Sequence, residues 1–104
     1  MRMMMKVNMS VEAGNAAARS GTLGTKVQQI LTDLKPEAVY FASENGQRTG
    51  YIFFDMTDSS QLPAAAEPWF LAFNAGITVT PAMTPADLAK AGPAIAAAVE
   101  KYGK

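Results

Sequence analysis

The chain has 104 residues, of which 49% are hydrophobic and 17% are charged, and nine lysines and arginines balance nine aspartates and glutamates. This length and composition predict one folded domain, and the zero net charge provides no electrostatic attraction to nucleic acid or to an anionic membrane. Neither cysteine nor histidine occurs, which excludes disulfides, thiolate catalysis, a histidine base, Cys/His zinc sites and a histidine haem ligand.

The N-terminal segment alternates between apolar and polar residues. Every second residue from Met3 to Val11 is apolar, and Lys6 and Asn8 stand between them. This alternation predicts a strand with one face buried in the core. Lys6 and Asn8 also interrupt the apolar run before it reaches signal-peptide length, and no stretch approaches the ~20 apolar residues of a membrane helix. We therefore expect a soluble, cytoplasmic protein.

A helical pattern follows a stretch of small residues between positions 13 and 24, to which the sequence assigns no element. Apolar residues recur at helical spacing at Leu23, Val27, Ile30, Leu31 and Leu34. The helix should end at Lys35-Pro36, because a proline disfavours the helical conformation of the residue before it.

Two segments rich in strand formers, 38–42 and 50–54, flank Asn45-Gly46. Asn-Gly favours a type I′ turn, whose two-residue loop places Tyr40 opposite Tyr51. One face of this hairpin is apolar and carries Val39, Phe41, Ile52 and Phe54. The other face carries Tyr40, Ala42, Thr49, Tyr51, Phe53 and Asp55. Its aromatic rings with polar tips suit a partly wet interface or cavity.

The C-terminal half predicts two helices around a short strand. Residues 58–61 form a capping-box pattern at the start of a helix that Pro68 should kink and that residues 74–76 should end. Residues 77–80 follow as a strand. Thr84-Pro85 begins the last helix, which Gly92-Pro93 should break or bend before a stripe of Ile95, Val99 and Tyr102.

The element order β-α-β-β-α-β-α predicts a single α+β domain over residues 1–104. With right-handed crossovers it forms a ferredoxin-like βαββαβ fold with an extra C-terminal helix, in which helices cover one face of a four-stranded antiparallel sheet. We call the other face the open face. Because that face is aromatic, it should be covered by a second copy of the chain. We expect a homodimer joined through the open face, with the two sheets forming a dimeric α/β barrel.

Four segments, 3–7, 46–56, 66–70 and 80–88, also carry a family resemblance that spans nearly the whole chain. In these segments the sequence resembles the dimeric α/β-barrel superfamily, most closely its small bacterial members of unassigned function. The superfamily includes cofactor-free monooxygenases, muconolactone isomerases and haem-degrading enzymes, so the resemblance implies a fold rather than an activity. Haem-degrading members use an Asn, a Trp and a His ligand. Asn8 and Trp69 lie in similar elements here, but the chain has no histidine, and we expect no haem.

The candidate site residues gather on the open face. They are Lys6, Asn8, Tyr40, Tyr51 and Asp55, with Trp69 as a further wall. In a functional interpretation, the aromatic rings hold a small apolar or aromatic molecule while the polar side chains orient it. The alternative is a cofactor-free isomerase or monooxygenase acting on a small aromatic or lactone-like substrate. Its catalytic candidates are Asn8, Tyr51 and Asp55, with a desolvated Asp55 as base.

A structural interpretation accounts for the same residues, and we favour it. Lys6 and Asp55 would pair across neighbouring strands, the tyrosines would pack at the dimer interface, and Trp69 would belong to the core. Arg48 could bind an anionic group at the mouth of the hairpin, although an exposed hairpin arginine is more often only solvated. We expect no cofactor, no metal, no nucleic-acid partner and no membrane partner; a homodimer and a small apolar ligand remain.

Overall fold

Four strands form one antiparallel sheet in a computed structural model that describes residues 1–104. The strands are β1 (Arg2–Asn8), β2 (Ala38–Glu44), β3 (Gln47–Asp55) and β4 (Gly76–Pro81). The helices are α1 (Val11–Arg19), α2 (Leu23–Leu34), α3 (Leu62–Phe73), α4 (Pro85–Lys90) and α5 (Gly92–Tyr102), and a 3₁₀ turn, Ser59–Gln61, precedes α3. The sheet order β2-β3-β1-β4 is that of the ferredoxin-like α+β fold, as the sequence predicts.

The β2–β3 hairpin has the predicted register. Tyr40 pairs with Tyr51 and Phe41 pairs with Gly50. Asn45 and Gly46 have φ angles of 54° and 75°, and two consecutive positive φ angles are what a type I′ turn requires. The turn therefore determines which hairpin side chains face the helices and which lie on the open face.

The hydrophobic core lies between the sheet and its helices. The alternation of β1 is confirmed, because Met3, Met5 and Val7 are buried while the residues between them are half-buried on the open face. The largest fully buried side chains are Trp69, Phe73, Met5, Ile52 and Val7. Each contributes about 1.5–3 kcal/mol through its burial, so these residues fix the helices on one side of the sheet.

The stretch without a predicted element forms α1, and the first strand is shorter than expected. Ser10 ends the extended segment as the N-cap of α1, because its Oγ accepts a hydrogen bond from the Ala13 amide at 3.0 Å. Val11 is consequently the first residue of a helix and is 47% exposed, so its predicted place on the buried strand face is wrong.

The last helical segment extends away from the sheet. It is broken at Ala91 between α4 and α5, as Gly92-Pro93 predicts. No residue of α5 is buried, and the molecule measures 58 × 28 × 21 Å. None of the helices has both the length and the apolar character that crossing a bilayer requires. Pro68 lies within α3, which continues on both sides of it.

Candidate functional site

The strand register places the predicted site residues of β1, β2 and β3 on the open face, but it does not bring all of them together. Lys6 lies between Tyr51 and Thr78, and Tyr40 lies next to Tyr51. Asp55 is paired with Arg2 at the other end of β1 from Asn8. Six residues of strand separate the two ends, which is about 20 Å. Asn8 and Asp55 therefore cannot act on one small substrate within this chain.

Two of these residues belong to a polar network with Glu44. The Nζ of Lys6 lies 3.3 Å from Glu44, and the Nδ2 of Asn8 donates hydrogen bonds to Glu44 at 3.1 Å and to Thr49 at 3.0 Å. The hydrogen bond from Asn8, followed by that from Lys6, lowers the pKa of the Glu44 carboxyl below its ordinary value. The network holds Glu44 as a carboxylate and uses both amide donors of Asn8.

The predicted ion pair between Lys6 and Asp55 is wrong. Lys6 pairs with Glu44, whereas Asp55 pairs with the N-terminal amine of Met1 at 2.7 Å. The register explains the difference, because Lys6 lies opposite Tyr51 and four residues of strand separate it from the Asp55 position. The Asp55 side chain is 72% exposed, so it lacks the desolvation that its role as a base assumes.

Trp69 lies on the other side of the sheet from the open-face residues. It is 1% exposed, and its ring centroid is 6.0 Å from that of Phe73. Its Nε1 is buried without a hydrogen-bond partner. This placement agrees with the structural interpretation, in which Trp69 belongs to the core.

The largest cavity lies on the helix side of the sheet, and we call it the hairpin groove. It is bounded by α1, α2 and the turn end of the β2–β3 hairpin, is open to solvent and has a volume of about 720 Å³. Its apolar lining consists of Met9, Val11, Leu23, Val27, Phe41 and Ala42. A volume of this size is within the range of small-molecule pockets.

Phe41 is the unusual side chain of the groove. It belongs to the apolar face of the hairpin, yet it is 61% exposed, whereas Ile52 on the same face is fully buried. The helices cover Ile52 in the middle of the sheet and leave Phe41, on the edge strand β2, open to the groove. The Phe41 ring lies over Gly50, where an added Cβ would be 3.4 Å from the ring. The ring is thus supported by bare backbone on one side and open to the groove on the other.

Arg48 provides the only charge in the groove lining. Its Nη1 donates a hydrogen bond to Oδ1 of Asn15 on α1 at 3.1 Å. Arg48 takes part in none of the chain's ion pairs.

The sequence predicted Arg48 as a possible binding residue for an anionic group, but it did not predict the apolar lining beside it. Elsewhere in the chain, no group of three or more acidic side chains is placed to hold a metal ion.

Comparisons with known proteins show no family. No family model matches the chain, and no curated protein matches it. Among solved structures, the chain is similar to a formyltetrahydrofolate deformylase from Pseudomonas putida KT2440, with 12% sequence identity and a TM-score of 0.46. The match covers 78% of this chain and 28% of that enzyme. Likeness at this level carries no functional argument, and the fold assignment rests on this chain's own strand order and register.

Proposed function

We propose that this protein is a homodimer that binds a small apolar molecule in the hairpin groove. The observation that carries the proposal is the exposed Phe41 ring in a groove of about 720 Å³ with five other apolar lining residues. Each Å² of exposed apolar surface that a ligand covers contributes about 25 cal/mol of favourable binding free energy. A ligand in the groove would give Phe41 the apolar cover that the helices give Ile52.

The open face is the better candidate for the dimer interface. Its polar side chains already satisfy one another through the Lys6–Glu44–Asn8 network, which leaves few free donors to orient a small ligand. Tyr40 is 64% exposed there, beside the half-buried Tyr51. A sheet face that is aromatic and whose polar side chains are already hydrogen-bonded to one another suits a second copy of itself. The exposed stripe of α5 adds apolar surface that a partner subunit could cover.

The ligand proposal is tested with the neutral fluorescent probe N-phenyl-1-naphthylamine. We expect saturable binding, and we expect Phe41→Ala to weaken it about 5- to 30-fold, because a phenyl ring contributes on the order of 1–2 kcal/mol when a ligand covers part of it. Tyr40→Ala is the matched control, since Tyr40 is the adjacent residue, equally exposed but on the other face. It should leave the affinity for the probe unchanged.

Two results would refute the ligand proposal. One is the absence of saturable binding to the unaltered protein. The other is a loss of affinity in Tyr40→Ala that is not found in Phe41→Ala, which would place the probe on the open face.

The dimer proposal is tested by light scattering coupled to size exclusion. The unaltered chain should have a mass of about 22 kDa, twice its 11.0 kDa. Tyr40→Lys should yield a monomer because it places two like charges in the interface, whereas Thr25→Lys, at an exposed position on α2, should remain a dimer. A monomeric unaltered protein, or a dimer that tolerates Tyr40→Lys, would contradict an interface through the open face.

A further inference from the structure

We infer that the hairpin groove selects apolar molecules that carry one carboxylate, and that Arg48 binds this carboxylate. The inference rests on the proposed function, because it names the chemical class of the ligand at the same site. It is carried by the position of a single unpaired guanidinium in an otherwise uncharged and largely apolar groove.

The charge of Arg48 has no counter-charge in the chain. A guanidinium has five N–H donors in a planar fork, and the described contact to Asn15 uses one of its nitrogens. Asn15 offers a neutral amide oxygen rather than a carboxylate. The remaining donors match the two oxygens of a carboxylate, which an arginine binds through two parallel hydrogen bonds. No acidic residue lines the groove to compete for them.

The neighbouring helix is shaped around the guanidinium. Gly14 is buried within α1, and a Cβ added there would be 2.6 Å from Nη1 of Arg48. Gly14 does not have a positive φ, so its backbone conformation is open to any residue. A glycine inside a helix costs about 1 kcal/mol relative to alanine. What it supplies here is the space in which Arg48 lies against α1, with Asn15 at hydrogen-bonding distance.

The lining also restricts the charge of the ligand and the chemistry of the body that carries the carboxylate. A single guanidinium with no second cation favours a monoanion over a doubly charged phosphate group. The apolar side chains beyond it, including Leu23, Val27 and Phe41, favour a hydrocarbon or aromatic body. The ligand class is therefore an apolar monocarboxylate.

The test compares decanoate with 1-decanol as competitors of bound N-phenyl-1-naphthylamine. They have the same chain length, but only decanoate carries a charge. We expect the unaltered protein to bind decanoate about tenfold more tightly than decanol, as one partly exposed charge-assisted contact provides. Arg48→Gln should bring the ratio close to one, and it should weaken the binding of decanoate far more than that of the neutral probe. Arg48→Lys should give an intermediate ratio, because an ammonium lacks the planar fork.

Arg19→Gln is the matched control. It removes the same charge from the exposed end of α1, outside the groove lining, and should keep the tenfold ratio. Equal displacement by both competitors, or an unchanged preference in Arg48→Gln, would overturn the inference and leave the proposed function intact. Failure of the neutral probe to bind would overturn both.

Discussion

Replacing Gly14 with alanine should separate the stability of the fold from the selectivity of the groove. Alanine is the better helix former by about 1 kcal/mol. The new Cβ would stand 2.6 Å from Nη1 of Arg48 and 3.1 Å from Sδ of Met9. Arg48 is exposed, so it can turn away and lose only its contact to Asn15, which costs about 0.5–1.5 kcal/mol. The two terms nearly cancel, and the free energy of unfolding should change by less than about 1 kcal/mol.

Two measurements check this expectation. Thermal unfolding should show a shift of the melting temperature of less than about 6 °C, since 1 kcal/mol corresponds to about 4–8 °C in a domain of this size. The preference for decanoate over decanol should fall severalfold, because the guanidinium no longer lies against α1. Adding Arg48→Gln to Gly14→Ala should cause little further loss of preference, as two changes that act on one contact are not additive.

A Gly14→Ala variant that keeps the full preference for decanoate would show that Arg48 does not need the space at Gly14 to bind the carboxylate. Destabilisation above about 3 kcal/mol would refute the expected small change in stability. It would show that Arg48 and Met9 cannot move and that Gly14 serves the packing of α1 on the sheet.

Two further predictions concern the sheet and its core. The contacts of Glu44 with Asn8 and Lys6 lower the pKa of the Glu44 carboxyl, so they stabilise the fold at pH values above its ordinary pKa of 4.5, and this stabilisation is lost as the pH falls from 4.5 through the lowered pKa. The free energy of unfolding of Glu44→Gln, measured in urea, should therefore depend less on pH below about 4.5 than that of the unaltered protein. An unchanged dependence on acid would contradict the network. Phe73→Ala should cost about 3–5 kcal/mol, because the ring is fully buried against Trp69; a cost below about 1 kcal/mol in chemical unfolding would mean that α3 is not packed as described.

The hairpin and the alternation of β1 could be predicted from the sequence because both depend on local chemistry. Asn45-Gly46 determines the turn, and the turn determines each pair up to Glu44 and Gln47. Extending the predicted register to the pair of Glu44 and Gln47 would have placed Glu44 on the open face near Asn8. Glu44 would then have been the expected partner of Lys6 instead of Asp55. The contact of Asp55 with the chain terminus has no signal in the sequence.

The helix α1 and the groove are not predicted by the pattern of residues. The segment of α1 consists mostly of small residues, so its apolar face lacks the large side chains that mark α2, and its local signals are limited to the N-cap Ser10, Glu12 in the first turn and Arg19 in the last turn. The exposure of Phe41 depends on how far the helices extend over the sheet, which is a tertiary property. Gly14 beside Arg48 is likewise visible only when α1 and β3 are in place, because 33 residues separate Asn15 from Arg48 along the chain.

Locating bound decanoate on the methyl-labelled protein tests most directly whether the ligand binds in the hairpin groove. Met9, Leu23 and Val27 line the hairpin groove, whereas Met4 lies on the open face opposite Phe53. In a titration followed by nuclear magnetic resonance, the methyl signals of Met9, Leu23 and Val27 should shift with a common saturation curve while that of Met4 stays in place. A shift of the Met4 signal, with the signals of Met9, Leu23 and Val27 unchanged, would place the ligand on the open face and contradict binding in the hairpin groove.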